Sequence, residues 1–119
     1  MQWIILIGNE EFTLDTIKLI KHNNSVKCYD INENRYCVDY GEKGHIFYDY
    51  ADISYDYEED ELRKIPFDKP HFIMMVYTST ELIKEILTHD NFPHGIYIDD
   101  DNGQVRSIEK FIELITQKG

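Results

Sequence analysis

Polar and apolar residues along this chain change period several times, and the changes mark out its elements. Trp3-Ile4-Ile5-Leu6-Ile7 has no polar alternation, which predicts a strand covered on both faces, as helices cover a parallel sheet. Gly8 and Asn9 allow a turn. Thr13 is placed to cap a helix whose Leu14, Ile17, Leu19 and Ile20 supply an apolar side, with Asp15 in its first turn. That helix is expected to end near His22-Asn23-Asn24, because Asn tolerates left-handed exit geometry.

The period then drops to two. Val26, Cys28 and Asp30 alternate with Lys27, Tyr29 and Ile31; Tyr36, Val38 and Tyr40 alternate with Cys37 and Asp39; and His45 to Tyr50 follows. Asn32-Glu33-Asn34 and Gly41-Glu42-Lys43-Gly44 are turn material between these runs, so residues 25–50 read as an antiparallel meander. Residues 51–70 are irregular, with a short helix over Glu58 to Ile65 before Pro66 and Pro70 interrupt any ladder. Phe72-Ile73-Met74-Met75-Val76-Tyr77 is a second apolar strand suited to a central position.

The last third is the most regular. Thr78 with Glu81 matches a capping box, Ser79 is the alternative cap, and Leu82, Ile83, Ile86 and Leu87 form a helical stripe. Gly95 to Asp99 is a short strand, Asp101-Asn102-Gly103 a tight turn leading into Gln104 to Arg106, and Ser107 caps a helix carrying Ile108, Phe111, Ile112 and Ile115. The order predicts one α/β or α+β domain over residues 1–119: a mixed sheet with central apolar strands, an antiparallel meander at residues 25–50 and about three packed helices. Strands near residues 3 and 73 are expected to lie adjacent and parallel.

Composition changes this picture in one respect, the charge. Twelve Lys and Arg face 23 Asp and Glu, a formal net charge of −11. Such a surface repels nucleic-acid phosphates and anionic lipid, so neither direct nucleic-acid binding nor membrane binding is expected. A basic protein, by contrast, is drawn to it. Trp3 to Ile7 is too short to span a bilayer and has no basic start. Two cysteines, Cys28 and Cys37, do not make a disulfide framework and fit a reducing, cytoplasmic setting. Homo-oligomers are left open.

Chemistry-bearing motifs are sparse. Cys28 and Cys37 flank the first hairpin as candidate cross-strand neighbours, with His22 and His45 nearest, but no CxxC or zinc-knuckle spacing occurs and ordinary sheet cysteines explain them. His71, His89 and His94 fall at strand or loop edges, where two of them together would serve acid–base chemistry. Asp99-Asp100-Asp101-Asn102-Gly103 fails the EF-hand spacing and has no phosphate-binding glycine loop beside it, leaving a solvated turn as the default and a divalent-metal site as the alternative. No cofactor is predicted.

The richest segment is residues 47–61, which holds seven acidic residues, five aromatics and no basic residue. Aromatics anchor interfaces at modest entropic cost, while carboxylates steer a cationic surface. The candidate contacts are Tyr48, Asp49, Tyr50, Asp52, Tyr55, Asp56, Tyr57, Glu58, Glu59 and Asp60. Alternation equally predicts the opposite arrangement, with aromatics in the core and acids in water. The expectation is a non-catalytic acidic module that covers a basic partner protein, in the manner of immunity or antitoxin-type inhibitors, an analogy carried by charge alone. The alternative is a small enzyme or regulatory domain using carboxylates or histidines at strand ends, with a divalent metal as an option.

Overall fold

The computed structural model describes residues 2–51, 57–100 and 104–117. In chain order they form β1 (Gln2–Gly8), α1 (Leu14–Lys18), β2 (Lys27–Asn32), β3 (Arg35–Asp39), β4 (His45–Tyr50), α2 (Glu59–Arg63), β5 (His71–Tyr77), α3 (Thr80–Thr88), β6 (Tyr97–Asp99), β7 (Val105–Ser107) and α4 (Ile108–Gln117). The strands make one sheet in the order β2-β3-β4-β5-β1-β6-β7. Every neighbouring pair is antiparallel, so the fold is α+β.

The meander is present as β2, β3 and β4, and it carries the sheet to its β2 edge. The expected mixed sheet is not. β1 and β5 are adjacent, but they run antiparallel from Gln2↔Tyr77 to Gly8↔His71. Unbroken apolar character in β1 reports burial on two faces, and an antiparallel strand meets that condition when both faces are covered. Here Ile4 and Leu6 face α1, α3 and α4, while Ile5 and Ile7 pack with Ile65 and Phe72 under the α2 segment. β5 is less completely covered: Met74 and Val76 are only half-buried.

Three helices share one face. Leu14 and Ile17 of α1, Leu82, Ile83, Ile86 and Leu87 of α3, and Ile108 and Phe111 of α4 join Ile4, Leu6, Val38, Ile46, Tyr48, Ile73, Met75 and Ile98 in a single cluster. α3 starts at Ser79, whose Oγ accepts from the Leu82 N–H at 3.4 Å, so the alternative cap is the one used. α2 makes a fourth helix, five residues long, on the opposite face.

α1 is shorter than the apolar stripe suggests. It stops at Lys18 and leaves Leu19 78% exposed, so Leu19 does not belong to the core. The left-handed residue anticipated at its exit does occur, at Asn24 with φ 69°, but in the loop that follows. Between β3 and β4, a short 3₁₀ turn at Gly41–Lys43 ends on Gly44 with φ 124°. A side chain there would run into Thr78 Oγ1, which accepts the His45 N–H at 3.0 Å.

Two leucines test this division of surface and core. Leu6→Ala removes a wholly buried side chain and is expected to lower unfolding free energy by about 3 kcal/mol. Leu19→Ala should stay within about 0.5 kcal/mol of the parent. Urea denaturation followed by Trp3 fluorescence measures both, and equal losses would contradict the helix boundary.

Candidate functional site

Strand β4 decides what the acidic aromatic segment presents. Pairing across β3 and β5 puts Tyr36, Tyr48, Met75 and Ile4 in one row, and that row lies under the helices. Tyr48 is fully buried and its hydroxyl lies 2.9 Å from His22 Nε2. Burial drives its pKa well above the ordinary tyrosine value. Tyr48 is therefore a core residue and is withdrawn from the candidate contact surface. Tyr50, two residues on, points to the same face and is half-buried, with its hydroxyl 3.2 Å from His71 Nδ1. Asp49 points the other way and pairs with Arg35 Nε at 3.0 Å. In this strand the two tyrosines face the helices, while Phe47 and Asp49 face the other way.

Asp52, Tyr55 and Asp56 lie outside the described residues. Tyr57 follows them and is half-buried against Phe72, ring centroids 5.2 Å apart, donating its hydroxyl to Asp99 Oδ2 at 2.8 Å. Glu58, Glu59 and Asp60 are exposed at the start of α2. Glu61 Oε1 accepts the Glu58 N–H at 3.2 Å, so this carboxylate serves as the reciprocal half of a cap. Carboxylates at a helix start are favoured by the peptide dipole, which explains why four acids in a row are tolerated there. Arg63 is the near cation, 3.8 Å from Glu59 and 3.6 Å from Asp60. At such exposure these pairs are weak.

A second row, missed from sequence, lies on the helix-poor side of the sheet. Tyr29, Cys37, Phe47, Val76 and Trp3 are consecutive cross-strand partners. Arg35 lies over the Phe47 ring at 4.6 Å and Lys27 over Tyr29 at 5.0 Å. His45 is 3.4 Å from Asp39. Lys27 and Arg35 shield rings that no helix covers among the described residues, at about 0.5–1 kcal/mol each. The signal was the two-residue period itself, which separates Phe47 from Tyr48 without saying which set meets the helices.

The other predicted constellations disperse. Cys28 is exposed and opposite Val38, whereas Cys37 is buried and opposite Tyr29. The two thiols thus lie on opposite faces and are not cross-strand neighbours, because their positions differ by one residue in register. Asp99 receives the Tyr57 hydroxyl, and Asp100 pairs with Arg106 at 2.7 Å, while Asp101 lies outside the described residues. Among the described residues no three His, Cys, Asp or Glu side chains gather as a metal-binding group. His71 Nδ1 lies 3.0 Å from the Phe12 carbonyl, and His94 is exposed.

His89 instead meets His22. Both line an open cleft of about 430 Å³ with Lys21, Asn23, Tyr40 and Glu85. Asn23 Nδ2 lies 3.0 Å from His89 Nε2. Burial lowers the His22 pKa to about 4, with a backbone hydrogen bond to Ile20 opposing it and His89 adding to it. Burial likewise raises Tyr40 to about 12. The chain matches no protein-family model, no curated protein and no solved structure.

His22 makes stability acid-sensitive. Its folded pKa of about 4 lies below the ordinary 6.5, so the unfolded chain binds more protons between these values. Stability from this group is complete above about pH 6.5 and is lost as pH falls toward 4, by roughly 3 kcal/mol in all. Urea midpoints at pH 7 and pH 4.5 should separate further in the parent than in His22→Gln. Equal separations would assign the acid loss to other groups.

Proposed function

We propose that this protein is a non-catalytic acidic module that covers a basic partner protein, as an inhibitor of the immunity or antitoxin type does. The observation that supports it most is the acid-rich run Glu58, Glu59 and Asp60, exposed at the start of α2, with Arg63 the one cation in ion-pair range of it among the described residues. Carboxylates held this way repel one another, and a cationic surface relieves that cost. α2 is packed on the helix-poor side of the sheet, the side that also bears half-buried Trp3, Met74, Val76 and Phe47. Apolar area beside weakly paired surface charge suits an interface whose rate comes from steering and whose lifetime comes from buried contacts. Asp49 lies on the same side, paired with Arg35, and Tyr57 braces α2 from beneath against Phe72; Tyr50 faces the helices instead, and Asp52, Tyr55 and Asp56 lie outside the described residues.

A second reading, a small enzyme or regulatory domain, draws on the cleft that His22 and His89 share with Glu85. Its polar lining offers acid–base groups, but the His22 ring is already engaged by Tyr48.

Two measurements test the main reading. Pull-down from the source cell should recover a basic protein, and Glu58→Gln/Glu59→Gln/Asp60→Asn should slow its association about tenfold and flatten the salt dependence. Retention and salt dependence unchanged in that triple variant would sink the assignment, whereas loss of binding in His89→Ala would favour the cleft. In an electrophoretic assay at low salt, where electrostatic effects are largest, DNA and RNA should run unshifted.

A further inference from the structure

The two edges of the sheet are unlike. β7 ends it with three residues, all half-buried, whereas β2 ends it with six, all exposed, and pairs with β3 on one side only. The large hydrophobic side chains most exposed among the described residues gather here. Val26 (68%), Tyr29 (41%) and Ile31 (44%) lie on or next to β2. Leu19 (78%) follows Lys18, which bonds Asp30 of β2 at 2.8 Å. An edge strand of this length, with free backbone donors and acceptors and apolar side chains, is a template for another strand unless charge or a bulge blunts it. β2 has one Lys at its start and an irregularity only at its far end, between Asp30 and Asn32, so the stretch around Tyr29 is open.

Charge selects the occupant. The chain as a whole carries −11, yet around β2 Lys18, Lys27 and Arg35 stand among Asp30, Glu33, Asp39 and Asp49, close to balance. Repulsion between two copies is therefore small at this edge, and a strongly basic partner gains little there. The strand is also self-complementary. Antiparallel pairing centred on Tyr29 sets Tyr29 against Tyr29 of the second copy and Lys27 opposite Ile31. Symmetry makes the Lys27–Ile31 contact twice.

We propose that β2 pairs antiparallel with β2 of a second copy, joining two sheets into one continuous sheet of twice the width. The paired strands satisfy each other's outward N–H and C=O groups and cover Tyr29, Ile31 and Val26. Strands this short bury less than a standard interface, so the pair is weak and its population depends on concentration.

Sedimentation equilibrium of the full chain in 0.15 M salt, from about 5 to about 500 µM, reads the equilibrium directly. A monomer–dimer transition is expected. Tyr29→Lys/Ile31→Lys should weaken it at least about tenfold with an unchanged thermal melt, since both side chains are exposed. Under mild oxidation, Cys28→Ser/Cys37→Ala/Tyr29→Cys, in which the native thiol opposite position 29 is removed, should form a disulfide-linked dimer, because the two copies of position 29 meet at the symmetry axis. Cys28→Ser/Cys37→Ala/Glu109→Cys, whose new thiol lies on α4, should remain mostly monomeric. A monomer at every concentration, a dimer indifferent to the two lysines, or equal cross-linking from both thiol positions would each overturn the proposal.

Discussion

Strand β1 hides both of its sides, and the rest of the molecule is arranged around that demand. Ile4 and Leu6 require an apolar layer on one face, and Ile5 and Ile7 require another on the opposite face. Each such side chain contributes about 1.5–3 kcal/mol when fully removed from water, so neither face can be left wet. Three helices answer the first requirement. The second is met by a thin cover, chiefly Ile65 and Leu62 from the segment around α2, with Phe72 and Tyr57. That cover extends only over the β1 end of the sheet. Toward β2 the same face is protected by cations laid over rings.

This uneven covering explains where the acids sit. α2 must bring Leu62 against the sheet, and a five-residue helix has little room to be anything but polar elsewhere. Its first turn is the place where carboxylates cost least. The acidic surface thus follows from building a lid from one short amphipathic turn. The core on the other face draws its side chains from every helix except this one.

Much of the fold was legible in the sequence. The stripe Leu82 to Leu87, the alternating meander and the stripe Ile108 to Ile115 each carry a local period that no distant contact has to explain, whereas the cap of α3 falls on Ser79, the second choice after Thr78. Strand direction was not legible, because the double burial of Ile4 to Ile7 is shared by parallel strands and by antiparallel strands covered twice. Nor was the facing of β4: Tyr48 and Asp49 alternate whichever side is wet, and only the position of the helices sends Tyr48 inward toward His22. Leu19 fits the α1 stripe by spacing, but the helix ends one residue before it. The cleft of His22 and His89 joins residues far apart in sequence and has no local signature.

The place of β1 between β5 and β6 also has a consequence for how the chain is made. The meander pairs neighbours and needs no more than its own residues to close. β1 must wait for residues 71–77 and 97–99, and at about 5–20 residues per second that is several seconds of synthesis. Throughout that interval its backbone has neither of the strands that flank it, and Ile5 and Ile7 lack the Ile65 and Phe72 that later cover them. A short stretch of Ile and Leu therefore waits for shelter in the newborn chain, and the same stretch later lies buried in the middle of the sheet.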